Sequence, residues 1–278
     1  MAKDSSIEWT HHTFNPWWGC TKVSPGCKHC YAEAWARRTG RDIWGPKAPR
    51  RELSEAYWRQ PLAWDQEARR GSTRARVFCA SMADVFEDRR DLDEKRARLW
   101  PTIEATPNLD WLLLTKRPQN MRRLTPWGEH WPTNVWAGTT TENQKWADKR
   151  IPELLEVPSA THFISAEPLL GPLDLRRWLV TGPRHSINWV ISGGESGPHA
   201  RPMNPEWARA IRDQCQAAGV AFLFKQWGNW KPIAPQDLNG YASRTIFLAD
   251  GNRITIANLG KKRAGRVLDG KTWDQLPA

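Results

Sequence analysis

The chain has 278 residues, a net charge of +11 and a pI of about 9.7. Hydrophobic residues make up 40%, enough for the core of one large α/β domain, and no stretch approaches the roughly 18 apolar residues of a membrane span. The first residues have no apolar run typical of a secretory signal, so we expect a cytoplasmic protein. The charge favours nucleic acid or a nucleotide as partner; a solvated basic surface is the alternative.

A first strand is predicted around 7–14, and a group of cysteines follows it. Three of the five cysteines fall within residues 20–30, which in a reducing compartment indicates a metal site before disulfides. Cys20, Cys27 and Cys30 have the spacing C-x6-C-x2-C, and the turn signal Pro25-Gly26 lets the chain curl back between them. A helix is predicted at 32–38, so the site lies between a strand end and a helix start.

Three cysteines are one fewer than the four thiolates that saturate a [4Fe–4S] cluster. A cluster on Cys20, Cys27 and Cys30 leaves one iron open for another ligand, an arrangement that radical enzymes using S-adenosylmethionine require. A structural zinc site is the rival, with His29, His11 or His12 as its fourth ligand. Uncoordinated thiols are a further alternative.

After a predicted loop at 40–51, short apolar runs begin 24 to 34 residues apart and alternate with helical stretches. Continuous apolar runs indicate strands that are buried on both faces of a parallel sheet. We therefore predict an α/β fold, a partial or complete (β/α) barrel, with a doubly wound open sheet as alternative. The runs are Val77–Ala80, Trp111–Leu114, Val135–Ala137, Phe163–Ile164, Trp189–Ile191 and Ala221–Phe224.

The clearest predicted helix has Asn204 as its N-cap and ends at Gly219. Its apolar face is predicted to comprise Trp207, Ile211, Cys215 and Ala218. Cys215, and Cys79 within a strand run, are therefore predicted to be core residues.

The rhythm changes near residue 231, where we predict a small C-terminal β appendage (231–278) after a barrel domain (1–230). Thr245–Leu248 and Ile254–Ile256 flank Asp250-Gly251-Asn252 and predict a β-hairpin. A basic segment follows, with Lys261, Lys262 and Arg263, which is either a phosphate contact or a solvated tail.

Polar residues follow the predicted strands, at the end of a barrel where chemistry takes place. They offer carboxylates, hydroxyls, cations and close backbone approach, as S-adenosylmethionine requires, although polar residues end strands in every α/β protein. Arg117 is a further candidate contact to a carboxylate or to the phosphates of nucleic acid. The predicted cofactor-binding residues are Ser81, Asp84, Thr115, Lys116, Thr139, Glu142, Ser165, Glu167, Gly193, Gly194, Glu195 and Lys225.

Distinctive motifs lie at 14–20, 27–31, 114–118, 135–139, 165–173, 190–197, 224–228 and 265–270. Together they resemble the three-cysteine-motif protein family of phages and prophages, which has no assigned function. The family in turn looks like a divergent branch of the radical S-adenosylmethionine enzymes, which includes DNA-repair lyases. The usual pattern of those enzymes is C-x3-C-x2-C with an aromatic before the last cysteine, whereas here the first gap is six and His29 takes the aromatic position.

The resemblance implies a [4Fe–4S] cluster, S-adenosylmethionine, and a 5′-deoxyadenosyl radical that abstracts hydrogen from nucleic acid or a nucleotide. It also implies an electron donor of flavodoxin or ferredoxin type, and a phage or host protein as a possible partner. A non-catalytic, metal-stabilised nucleic-acid-binding protein is the second hypothesis. An iron–sulfur enzyme whose open iron binds substrate directly is the third.

Overall fold

The computed structural model describes residues 5–179 and 186–277, and seven of its strands form one parallel sheet. Each of the six apolar runs overlaps one of the strands β2 to β7. The predicted first strand is much shorter than 7–14, because only His12 and Thr13 pair with β2. The strands are β1 (His12–Thr13), β2 (Ala75–Cys79), β3 (Leu109–Thr115), β4 (Val135–Thr140), β5 (Thr161–Ala166), β6 (Trp189–Gly193) and β7 (Ala221–Gln226).

The strands follow one another across this sheet in chain order, with β1 and β7 at its two edges. Right-handed crossovers that always step in one direction keep the connecting segments on one face, which is the topology of a (β/α) barrel. A doubly wound sheet would need a reversal of strand order, and the described strands show none. The predicted α/β class is confirmed in its partial-barrel form, since two edge strands leave the sheet open.

Eight α-helices lie among the described residues. Helix α7 begins and ends where predicted: Asn204 accepts a hydrogen bond from the backbone N–H of Glu206, and Gly219 has a φ of +66°. Its buried face differs from the prediction, because Ala208 is buried and Trp207 is only half-buried. The helices are α1 (Tyr31–Arg38), α2 (Glu55–Trp58), α3 (Gln60–Arg70), α4 (Asp93–Glu104), α5 (Met121–Leu124), α6 (Gln144–Leu155), α7 (Pro205–Ala218) and α8 (Lys261–Ala264).

The chain divides into two compact units. Unit 1 comprises residues 1–139 and 150–163, and unit 2 comprises residues 140–149 and 164–278, each as far as its residues are described. In unit 1 the cysteine loop and β1 to β3 lie together. In unit 2 strands β6 and β7 pack with α7. The predicted division into 1–230 and 231–278 stays a prediction.

The C-terminal part of unit 2 contains the predicted hairpin. Strands β9 (Ser243–Phe247) and β10 (Arg253–Asn258) pair antiparallel, and β8 (Trp230–Pro232) extends them to a three-stranded sheet. After α8, strands β11 (Val267–Leu268) and β12 (Lys271–Thr272) form a short ladder. The chain then returns to β7, where the backbone N–H of Phe224 donates to the carbonyl of Trp273 at 3.0 Å.

The core is rich in tryptophan. Indole rings supply large buried areas to both units. Cys79 and Cys215 are fully buried core residues, which confirms their assignment. The buried tryptophans are Trp9, Trp17, Trp58, Trp64, Trp100, Trp111, Trp127, Trp131, Trp178, Trp189, Trp227 and Trp230.

Candidate functional site

The cysteine loop, residues 20–30, joins the end of β1 to the start of α1. A 3-10 turn at Pro25–Cys27 curls the chain as the Pro-Gly signal predicted, and Cys30 lies at the N-cap of α1. All three cysteines of the loop are free and half-buried, whereas the two core cysteines are fully enclosed. The loop therefore presents three thiols within one short, ordered segment.

Arg50 fixes the segment that packs beside this loop. Its buried guanidinium donates to the carbonyls of Ile43, Gly45 and Ala48 at 2.8–3.1 Å. The same group bonds to Thr21 Oγ1 at 3.0 Å and pairs with Glu87 at 2.7 Å. One side chain thus organises the predicted loop at 40–51 against the cysteine loop. Nothing in the sequence marked Arg50, because its partners are mostly backbone carbonyls.

Arg117 touches the cysteine loop itself. Its Nη1 lies 3.8 Å from Cys20 Sγ and 2.8 Å from Asp84 Oδ2, and its Nη2 donates to the carbonyl of Thr21 at 2.8 Å. The structure gives Arg117 a different place from the predicted nucleic-acid contact, because a buried, ion-paired guanidinium does not present its charge to a polyanion.

The carboxylate of Asp84 also has hydrogen-bond partners inside the protein. Its carboxylate accepts hydrogen bonds from Thr115 Oγ1 at 2.7 Å and from the backbone N–H groups of Phe86 and Lys116 at 3.1 and 3.2 Å. Burial on its own would raise the pKa of Asp84, but the Arg117 guanidinium and these donors hold it below its usual range. Burial would likewise lower the pKa of Arg117, and the Asp84 carboxylate raises it instead. The pair is therefore charged at neutral pH.

Two thiols of the loop, those of Cys20 and Cys30, are protonated at neutral pH without metal, because burial raises the pKa of each. Burial raises the pKa of Cys20 to about 12; Asp84 acts in the same direction and Arg117 opposes it. Burial also raises the pKa of Cys30, against the lowering effect of the backbone amide of Glu33 and the charge of Lys116. Metal binding to these residues must therefore release protons.

The other predicted cofactor residues of unit 1 differ in what they can offer. Ser81 accepts a hydrogen bond from Asn15 Nδ2 at 3.1 Å, and its carbonyl accepts one from Tyr31 at 2.7 Å. Lys116 is half-buried and lies between Thr115 and Arg117 in the chain. Thr139 is fully buried and donates to the carbonyl of Thr115 at 3.0 Å, so its hydroxyl is already used.

Unit 2 gathers a second set of predicted residues. Glu167 pairs with Lys225 at 2.8 Å and accepts a hydrogen bond from Ser165 at 3.3 Å. A Cβ on Gly193 would lie 3.1 Å from Glu167 Oε2, so the glycine leaves space beside this carboxylate. Glu142 is fully buried at the end of β4. Carboxylate, ammonium and hydroxyl groups therefore meet at the ends of β5 to β7.

Two predicted cofactor residues of unit 2 serve the fold. A Cβ on Gly194 would lie 2.0 Å from the carbonyl oxygen of Trp227, so this glycine allows a close approach of the protein's own backbone. Glu195 is buried and forms two hydrogen bonds to the Arg201 guanidinium, at 2.8 and 2.5 Å. Both positions were predicted from their residue types, which do not reveal that neighbouring chain segments occupy them.

The basic segment lies on the short helix α8, where Lys261, Lys262 and Arg263 are all exposed. Arg263 bonds to the hydroxyl of Tyr241. Exposure is compatible with both interpretations of the sequence, a phosphate contact or a solvated surface.

No helix of the described residues is long and apolar enough to cross a membrane.

The structure does not itself show a metal centre. Within residues 5–179 and 186–277, no three His, Cys, Asp or Glu side chains form a group that could hold a metal ion. The chemistry of the three thiols nevertheless fits an iron–sulfur cluster, because its thiolates bind different iron atoms and need not converge on one ion. The cluster on Cys20, Cys27 and Cys30 therefore stays a prediction.

Comparison with known proteins gives one strong match. The model of a family described as "Protein of unknown function (DUF5131)" matches residues 4–277. No curated protein matches the chain. Two solved structures of spore photoproduct lyase are similar to it: the complex with dinucleoside spore photoproduct, at 12% identity and a TM-score of 0.49, and a mutant with bound AdoMet and the same dinucleoside, at 11% and 0.47. Each covers 92% of this chain and 71% of the other, and likeness at this level carries no functional argument.

Proposed function

The chain belongs to the family described as protein of unknown function (DUF5131), and we propose that it is a radical S-adenosylmethionine enzyme acting on nucleic acid or a nucleotide. The observation that carries the proposal is the cysteine loop, with three free thiols on one segment and two further cysteines in the core. The motif resemblance and the net charge of +11 support the two halves of the proposal, the radical chemistry and the polyanionic substrate.

Cys20, Cys27 and Cys30 would hold a [4Fe–4S] cluster with one open iron. When bound and reduced, the cluster would supply the electron that breaks a carbon–sulfur bond of the sulfonium of S-adenosylmethionine. An electron donor of flavodoxin or ferredoxin type would then reduce the cluster again. The protein binds the cluster and S-adenosylmethionine and excludes water from them.

Two residues of the chain position the cysteine loop for that role. Arg117 holds the carbonyl of Thr21 and lies beside the sulfur of Cys20, and Arg50 ties the neighbouring segment to Thr21. A guanidinium beside a ligating sulfur compensates the negative charge that a thiolate acquires when it binds iron.

Polar residues at strand ends are proposed contacts to the cofactor or substrate, considered within each unit by itself. In unit 1 these are Ser81 and Lys116, which follow β2 and β3. In unit 2 the Glu167–Lys225 pair, with Ser165, offers a carboxylate and an ammonium group at the strand ends. Asp84, Thr115, Thr139, Gly194 and Glu195 have structural partners and are better explained by the fold.

Anaerobic reconstitution with iron and sulfide tests the proposal. Wild-type protein should bind iron and develop the visible absorbance of an iron–sulfur cluster, and with dithionite and S-adenosylmethionine it should release 5′-deoxyadenosine. Cys20→Ala, Cys27→Ala and Cys30→Ala should each lose both properties, whereas Cys215→Ala should retain bound iron. Zinc in place of iron, with salt-sensitive nucleic-acid binding and no cleavage, would support the non-catalytic alternative.

A further inference from the structure

The positive charge of the protein is concentrated around the cysteine loop. Residues 20–51 contain eight Lys and Arg against two Asp and Glu, a net charge of +6 out of the total of +11. The remaining residues of the chain share the other +5. This distribution is uneven enough to indicate a binding surface rather than general solubility.

Some of these charges are neutralised within the protein. The buried carboxylate of Glu33 pairs with Lys22 at 2.6 Å and Arg37 at 2.8 Å, and Arg50 pairs with Glu87. Within the described part of the chain, Lys28, Arg38 and Lys47 are exposed and have no carboxylate partner. The segment has one exposed carboxylate of its own, that of Asp42.

Two more cations lie on indole rings. The guanidinium of Arg51 is 4.3 Å from the ring centroid of Trp18, and that of Arg41 is 5.6 Å from the centroid of Trp35. The two indoles pack edge to face at 5.0 Å, so the two guanidinium groups lie near each other. A guanidinium stacked on an aromatic face keeps its N–H edge available for a phosphate oxygen.

Backbone hydrogen bonds attach these cations to the cysteine loop. Trp18 and Arg51 exchange two backbone hydrogen bonds, of 2.9 and 3.0 Å, and the N–H of Gly45 donates to the carbonyl of Cys20 at 2.9 Å. Lys28 lies in the sequence between Cys27 and Cys30. Tyr31, directly after Cys30, exposes 58% of its surface although its hydroxyl is bonded to the carbonyl of Ser81.

From this arrangement we infer that the basic surface formed by Lys28, Arg38, Arg41, Lys47 and Arg51 binds the phosphate backbone of a nucleic acid and brings it to the cysteine loop. Several cations without a carboxylate partner match a run of phosphates. The inference rests on the proposed function for its class of substrate. It adds the surface that binds this substrate, and places it next to the cysteines instead of on α8.

Salt-dependent binding to a labelled DNA oligonucleotide of about 20 nucleotides, single-stranded and as a duplex, tests the inference. A triple variant, Lys28→Ala with Arg38→Ala and Lys47→Ala, should bind at least about 10-fold more weakly at physiological salt, and the slope of log K against log salt should fall by about 2–3. The matched control removes three exposed arginines of the same unit, Arg59, Arg69 and Arg70, and should leave the slope unchanged.

Each other outcome overturns the inference. Equal loss in the control triple would mean that only net charge matters, and loss confined to a Lys261→Ala, Lys262→Ala, Arg263→Ala variant would move the contact to α8. Unchanged DNA binding with impaired reduction by a flavodoxin would assign the surface to an acidic protein partner. Absence of wild-type binding to either DNA would remove the nucleic-acid partner, while release of 5′-deoxyadenosine would still report separately on the radical chemistry.

Discussion

The ion pair between Arg117 and Asp84 should make a large contribution to stability, and replacing Arg117 by Met measures it. The two groups are 2.8 Å apart, with side chains only 10% and 8% exposed. Met approximates the apolar length of Arg but leaves the Asp84 carboxylate buried without its cation. Breaking one side of a buried pair costs about 3–5 kcal/mol, because an uncompensated charge stays in the interior.

A second ion pair of the same unit provides the matched control. Arg123 and Asp88 are also 2.8 Å apart, but their side chains are 56% and 66% exposed. Exposed pairs contribute about 0.2–1 kcal/mol, because water screens both charges. Arg123→Met should therefore lower the free energy of unfolding several-fold less than Arg117→Met, although the two pairs have equal lengths.

Urea unfolding followed by tryptophan fluorescence measures both variants. The double variant Arg117→Met with Asp84→Asn should lose less stability than Arg117→Met alone, because it leaves no buried charge. Equal losses for Arg117→Met and Arg123→Met would refute the reasoning, since burial would then have no influence on the cost of breaking the pair.

Three further results are expected. The pKa of Asp84 lies below its usual 3.8, so its ion pair with Arg117 contributes fully to stability above pH 3.8. The excess stability of wild type over Asp84→Asn should therefore shrink as the pH falls below 3.8, and an excess that does not change with pH contradicts this. Gly194→Ala should destabilise by about 1–3 kcal/mol or more, whereas Gly71→Ala, at an ordinary helical φ of −79°, should be neutral or stabilising; equal effects would mean that the backbone of Trp227 yields freely. Iodoacetamide should label at most three cysteines of the native apoprotein and all five after unfolding, because Cys79 and Cys215 are fully buried whereas the three loop cysteines are half-buried; native labelling of Cys79 would contradict this.

Sequence reasoning worked best where one residue type has one physical use. Continuous apolar runs located six of the seven sheet strands, because a strand that is buried on both faces has no polar positions. Asn204 and Gly219 located the two ends of α7, because each satisfies a requirement of the helix terminus that is local in sequence. The same local logic predicted the turn at Pro25–Cys27.

Sequence reasoning was weaker for polar residues at strand ends. Asp84, Gly194 and Glu195 were predicted to contact a cofactor, and in the structure they contact Arg117, Trp227 and Arg201, respectively. Whether a carboxylate meets a ligand or another side chain depends on segments up to 33 residues away in the chain. Residue type and spacing carry no information about such partners.

By itself, the sequence determined that three cysteines share one loop between a strand and a helix, and that the strands are those of an α/β protein. Those features depend on neighbours within a few residues, through periodicity, turns and caps. Only the tertiary structure decided that Arg50 and Arg117 hold the loop, and that Arg51 and Arg41 lie on indoles beside it. Except for Arg41 and Trp35, which are six positions apart, these contacts join residues that are distant in the chain, so only folding brings them together.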